Sequence, residues 1–255
     1  MKYIILGTLQ ILVLLIVGFW GYNRSNKTGE IKNNSIIVKV KFMKHLSLLV
    51  VTSLLLFTLG CSNNPEKAID FGKFEGGTYS NTFFNFNLSI PESWYVMDDE
   101  ARIALMQRSK KIVAGNDKNL SATLNAADLQ NLNLITAYEK PPGAPVDSNP
   151  SLIIIAESIK HAPGITKGSD YHFHTKKIME SSQMDVSFPK DIYKETISGK
   201  TFDVMDIEIN MGSVRNIQKQ YAAIINQYAL LFIITYQDNN GLKQLEQILQ
   251  TVEIK

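Results

Sequence analysis

The chain has 255 residues, with 26 Lys and Arg against 24 Asp and Glu for a formal charge of +2, and a single cysteine. One cysteine excludes an intrachain disulfide framework. Seven of the cations and one of the anions precede Cys61, so the remainder holds 19 cations against 23 anions, a formal −4. That balance excludes a basic nucleic-acid surface, and no nucleic acid is expected as a partner.

The first 42 residues pair an uncharged stretch, Tyr3 to Asn23, with a linker carrying Arg24, Lys27, Lys32, Lys39 and Lys41 against Glu30 alone. Twenty apolar residues are enough to span a bilayer, and Trp20 and Tyr22 suit its interface. Positive linkers stay cytoplasmic. One reading is therefore a transmembrane span running inward. The other is that translation starts at Met43. The second is favoured, because the segment from Met43 is complete as an export signal by itself.

Residues 43–60 read as that signal. Met43-Lys44-His45 is a basic start, Leu46 to Leu59 is almost wholly apolar, and Gly60-Cys61 closes it. The apolar run is shorter than a comfortable span and the size of a signal-peptide core. Phe57-Thr-Leu-Gly-Cys61 resembles the lipobox of bacterial lipoproteins, with Thr58 and Leu59 interchanged from the usual order. That resemblance implies that Cys61 carries a diacylglycerol and becomes the mature N-terminus. Acylation would hold the protein in membrane lipid. The expected location is the extracytoplasmic face of a cell membrane or outer membrane. The polar stretch through residues 61–73 is expected to be a tether, with one domain over residues 74–255.

In that domain Phe84-Asn-Phe86-Asn-Leu88-Ser-Ile90 alternates strictly, which predicts a half-buried strand ended by Pro91. Trp94 should turn back onto the core. Asp98 or Asp99 is expected to cap a helix running to Ala114, with Gly115 as its stop and Ala101, Leu105 and Ile112 on its apolar face. Leu132 to Tyr138 predicts a strand, followed by a proline-rich loop from Lys140 to Asn149. Leu152 to Ala156 is apolar on both faces and predicts a central strand. Ser169 is expected to cap a helix to about Ser182.

Four strands should follow: Ile192 to Thr196, Thr201 to Met211, Ile217 to Ile225 and Tyr228 to Tyr236. Turns are expected at Gly199-Lys200 and Met211-Gly212. Asp238 should open a last helix with Leu242, Leu245, Leu249 and Val252 on one face. Strands grouped in runs predict an α+β domain on a largely antiparallel sheet.

The phrases Tyr79-Ser-Asn81-x-x-Phe84-x-Phe86-x-Leu88-x-Ile90-Pro91-x-x-Trp94 and, later, Gln218-x-Gln220-Tyr221 with Tyr228 to Tyr236 and the closing helix resemble the PsbP-like superfamily. That group includes the photosystem PsbP subunit, Mog-type proteins and bacterial DcrB-like lipoproteins. The resemblance implies a three-layer α-β-α sandwich that binds or helps assemble a protein partner of the cell envelope. It supplies no catalytic residues.

The residues themselves suggest little chemistry. His161, His172 and His174 invite a metal reading, but residues two apart on a helix point to different faces and the usual ligand spacing is missing. His174, three after Tyr171 and four before Ile178, is expected to lean toward the core. Ser187-Phe-Pro-Lys190 matches a serine acyl-enzyme pattern that needs one helical turn, which Pro189 disfavours. Asp98-Asp99 fits a helix start. Asp206 and Glu208 should share the solvated face of a strand. The loop Lys140 to Asn149 is a candidate binding surface. No catalytic residue, metal ligand or cofactor is therefore assigned, and Cys61 is the one site residue. The leading expectation is a non-catalytic envelope lipoprotein. The alternatives are an exported hydrolase with an unrecognised site and a small-ligand or metal carrier.

Overall fold

The computed structural model describes residues 70–104, 107, 131–180, 185–211 and 214–255. The anticipated span, the signal, Cys61 and most of the 61–73 tether lie outside these residues, as do Leu105, Ile112 and Gly115. No helix among the described residues is long and apolar enough to cross a membrane.

Two antiparallel sheets form the domain. The smaller runs β1 (Lys73–Glu75), β2 (Thr78–Asn81), β3 (Phe86–Ser89) and β12 (Glu253–Ile254), in that spatial order. The larger is ordered β4 (Tyr95–Val96), β5 (Asn131–Tyr138), β6 (Ser151–Ser158), β11 (Tyr228–Tyr236), β10 (Val214–Ile225), β9 (Lys200–Met211) and β7 (Asp185–Ser187). A further strand, β8 (Tyr193–Ile197), pairs with β9 on the same side as β7. Helix α1 covers Gly168–Glu180 and helix α2 covers Asn239–Gln250.

The fully apolar segments take the interior of the large sheet. Every residue of β11 is buried, and it pairs with β6 and β10 along its length. Alternation then sorts each strand between two cores. Ile154, Leu230, Phe232 and Ile234 face a core shared with α2 and the small sheet, where Leu88, Leu245 and Leu249 meet them. Ile153, Ile155, Leu231 and Ile233 face the opposite side and Tyr171 of α1. The α+β prediction holds, and the layers are helix, sheet, then a mixed layer of α2 and the small sheet.

Local chemistry explains the element ends. Asp238 Oδ1 accepts from the Gly241 amide at 2.8 Å, so the expected cap of α2 is in place. Asp98 Oδ1 accepts from the Ala101 amide at 2.7 Å, and residues 99–104 are helical as expected. Trp94 is buried over the predicted turn, its amide donating to Pro91 O at 2.9 Å.

The start of α1 differs from expectation. Ser169 lies inside the helix, and its amide is capped from the sheet by Asp203 Oδ2 at 2.8 Å. Gly168 sets this contact. A Cβ there would come 2.2 Å from Ala222 O, so only glycine lets the helix sit so close to β10.

The domain also begins ahead of the expected 74. Asp70 accepts from the Gly72 amide at 2.8 Å and from the Thr82 amide and hydroxyl at 2.9 and 2.8 Å. The Tyr79 hydroxyl donates to Phe71 O at 2.8 Å. Residues 70–73, expected as tether, are thus fastened to the small sheet.

Candidate functional site

On the α2 side, where the large sheet nears its β8 edge, charged and phenolic side chains gather from four strands. Alternation puts Tyr193 and Glu195 of β8, Asp206 of β9, Lys219 and Tyr221 of β10 and Tyr236 of β11 on one face. Lys219 Nζ lies 2.8 Å from Glu195 Oε1, and 5.9 and 5.4 Å from the ring centroids of Tyr193 and Tyr221. The Tyr193 hydroxyl donates to Asp206 Oδ1 at 2.8 Å, and Lys190 Nζ reaches Asp206 Oδ2 at 2.9 Å.

Burial pulls the Lys219 ammonium toward neutrality, but the hydrogen bond and charge of Glu195 outweigh it and hold the group above its ordinary pKa. Burial also raises Tyr221, with the Glu195 charge adding to the effect. Tyr193 is raised by burial and by its bond to Asp206. The lysine therefore keeps its proton, and so do the phenols. The cluster borders an open cleft of about 550 Å³ between the β8–β9 hairpin and α2, lined in part by Glu195, Tyr221, Glu246 and Leu249.

A second open cleft, about 900 Å³, lies between the two sheets at the other side of the domain. Phe74 of β1, Trp94 and Val96 give it apolar walls, and Glu92, Asp98 and Glu100 give it an acidic rim. β1 and β4, the end strands of their respective sheets, both contribute to it.

Beneath α1 lies a third polar group. Glu157 is completely buried and accepts from the Tyr171 hydroxyl at 2.6 Å. His172 is also completely buried, with Nε2 3.0 Å from Asp203 O.

The residues singled out in the sequence fall as follows. His172 is the core histidine, while His174 is only partly buried and His161 is exposed, so the expected inward lean belongs two positions earlier. Among the described residues no three His, Cys, Asp or Glu side chains gather as a metal-binding group would. Ser187 ends strand β7 and Lys190 turns to Asp206, so the two share no helical turn.

Asp206 and Glu208 do share a strand face, but Asp206 is buried rather than solvated because Tyr193 and Lys190 close over it. The Lys140 to Asn149 loop is closed at its neck: Asn149 accepts from the Lys140 amide at 2.9 Å and donates to Lys140 O at 3.0 Å. Sequence reasoning missed the Lys219 cluster. Its signal was the alternation of Lys219 with Tyr221 and of Tyr193 with Glu195, polar side chains at positions that pairing turns to one face.

No family profile matches the chain, and no curated protein matches its sequence. Among solved structures the chain is similar to LpqN of Mycobacterium tuberculosis, described as involved in cell envelope biogenesis. The identity is 8%, with coverage of 66% of this chain and 82% of that one and a TM-score of 0.38. It is also similar to the cyanobacterial PsbP protein CyanoP of Synechocystis sp. PCC 6803, at 13% identity, covering 72% of this chain and 98% of that one with a TM-score of 0.39.

Proposed function

We propose that this chain is a lipoprotein held on the extracytoplasmic face of a membrane through acylated Cys61, and that its PsbP-like domain binds an envelope protein without catalysing a reaction. The leader residues 43–60 motivate the anchor. The observation that supports binding over catalysis is the pairing within the Lys219 cluster, where Glu195 holds the Lys219 ammonium at 2.8 Å and Asp206 accepts from the Tyr193 hydroxyl at 2.8 Å. A catalytic lysine or tyrosine must exchange a proton near the working pH, and its pKa is lowered accordingly. Here Glu195 fixes the ammonium and burial fixes the phenols in their protonated forms. A face with settled charges suits recognition of a complementary surface.

The anchor is tested by feeding cells a labelled fatty acid and by fractionating a Cys61→Ser variant. Label on the wild-type protein, and loss of both label and membrane association in the variant, are expected. An unlabelled wild-type protein, or a variant that still fractionates with membranes, overturns the anchor. The binding role is tested by crosslinking in intact cells, where recovery of one recurrent neighbour is expected and a domain without neighbours refutes it.

A further inference from the structure

The loop between β5 and β6 is exposed yet held to a fixed shape. At its neck the Asn149 carboxamide takes the Lys140 amide and carbonyl at once, and the Glu139 amide donates to Pro150 O at 2.9 Å. Further out, the Ala144 amide donates to Pro141 O at 3.0 Å, with Pro142 and Gly143 between them and Gly143 at φ 87°. That is the pattern of a type II turn, where proline suits the second position and glycine the third. The Val146 amide then donates to Ala144 O at 2.9 Å, a tighter turn about Pro145. Pro141, Pro142, Pro145 and Pro150 each lock one more φ. Little ordering therefore remains to be done when a partner arrives.

The same bonds make the tip chemically one-sided. Pro141, Pro142 and Pro145 have no N–H. The amides of Lys140, Ala144 and Val146 are used inside the loop. Over residues 140–146 the loop's own bonds leave the Gly143 amide as donor, against the carbonyls of Pro142, Gly143, Pro145 and Val146 as acceptors. No side chain from Pro141 to Val146 is charged, and the exposed Lys140 and Asp147 at the flanks are of opposite sign. Pro141, Gly143 and Pro145 are exposed, so the outward surface is proline ring and carbonyl.

That combination narrows the partner. Hydrocarbon would leave the carbonyls without hydrogen bonds, which argues against insertion into lipid. Lys140 alone is no basic patch for a polyphosphate. A carboxylate-rich surface would bring only further acceptors. The complement is a set of donors mounted on apolar rings. Trp contributes an indole N–H and Tyr a phenol O–H, each beside a flat face against which a proline ring packs. Pro142-Gly-Ala-Pro145 has the spacing of proline-rich ligands of aromatic grooves, but Gly143 bends it. The shape offered is a knuckle and not an extended polyproline helix.

We propose that the loop from Lys140 to Asn149 is a preformed knuckle that inserts into a Trp- and Tyr-lined slot of a protein partner, whose N–H and O–H groups donate to the Pro142, Gly143 and Pro145 carbonyls. The inference deepens the binding role proposed above and rests on it for there being a protein partner. It adds a contact distinct from the Lys219 face.

The full chain is expressed in living cells with a photo-crosslinking residue at Asp147, beside the tip, or at Glu246, beside the Lys219 cleft. Mass spectrometry should map the Asp147 crosslink to one recurrent neighbour, on a segment that holds Trp or Tyr. Gly143→Ala puts a Cβ on a positive-φ turn and should cut the yield about tenfold. A second variant, Pro141→Ala with Pro145→Ala, removes two rings but keeps the turn residues, and should cut it about fivefold. Urea unfolding checks that both variants are folded.

The purified neighbour is then titrated against the full chain in detergent. Because the tip is uncharged, affinity should change less than about twofold between roughly 50 and 500 mM salt. Replacing the mapped Trp or Tyr of the neighbour by Phe keeps a ring and removes the donor, and should weaken binding about tenfold. A crosslink to a segment without Trp or Tyr, a yield indifferent to both variants, a silent Phe replacement or an affinity that falls steeply with salt overturns the proposal. Crosslinks from Glu246 alone overturn it and leave the binding role standing. No neighbour from either position refutes both.

Discussion

Glu157 of β6 and Tyr171 of α1 meet where neither reaches solvent, the phenol donating to the carboxyl Oε2 at 2.6 Å. This is a direct polar link between the central sheet and the helix laid across it. Burial raises the Glu157 pKa to about 8, an effect only partly offset by the Tyr171 hydrogen bond. On the same helix, burial lowers the adjacent His172 to about 4 against a smaller opposing pull from Asp203.

These two groups give a stability profile with a definite sign. Between about pH 4.5 and 8 the folded state holds a proton on Glu157 that the unfolded chain has released, so stability falls as pH rises through that window. Between about pH 4 and 6.5 the unfolded chain protonates His172 while the folded state resists, so stability rises with pH there. The two slopes oppose each other below pH 6.5, and Glu157 acts alone above it. Urea unfolding should therefore show a decline between pH 6.5 and 8 on the order of 1–2 kcal/mol. Glu157→Gln should abolish that decline. A decline of the same size in the variant refutes the assignment.

Gly168→Ala should be among the costly single substitutions in the domain. The new Cβ would press on Ala222 O, a backbone atom fixed in the β10 ladder, so α1 must lift. A loss of about 2–4 kcal/mol is expected by chemical denaturation. The same change at Gly164, where a Cβ would meet nothing within 4 Å, should be nearly silent.

The β10–β11 turn carries positive φ at both Asn226 and Gln227, 51° and 64°. Asparagine adopts that region at less cost than glutamine. Gln227→Gly should therefore stabilise the domain by about 0.5–1 kcal/mol, read from the denaturation midpoint.

Alkaline difference spectroscopy should find a set of tyrosines that ionise only when the domain unfolds. Burial raises Tyr79 to about 12, and raises Tyr138, Tyr193, Tyr221 and Tyr236 as well. Ionisation of Tyr221 in the folded protein near the ordinary phenol range would contradict the closed Lys219 cluster.

The elements legible in the sequence are those whose own pattern determines their burial. Tyr228–Tyr236 is apolar but for Thr235, and the strand has those bounds. Asp238 announces α2, and the leucines at helical spacing face its core. The elements that escaped are short and exist only through distant partners. β1 has every side chain exposed, and β12 is two residues paired to β3.

The same distinction holds at the candidate site. Asp206 reads as a solvated strand acid until β8 brings Tyr193 over it. The cap of α1 could not be read because it comes from Asp203, 34 residues from the amide it receives. The Asp98 cap could be read because donor and acceptor are three residues apart.

The pairing of β12 with β3 has a consequence for how the polypeptide matures. Asn87 and Glu253 are 166 positions apart, yet their strands lie side by side, and the Lys255 amide donates to Asn85 O at 2.9 Å. A chain made from its amino end cannot seal this seam until those late residues have been synthesised. The small sheet therefore receives its edge strand β12 only at the end of synthesis, whereas residues 70–73 are fastened by Tyr79 and Thr82, no more than 12 positions away.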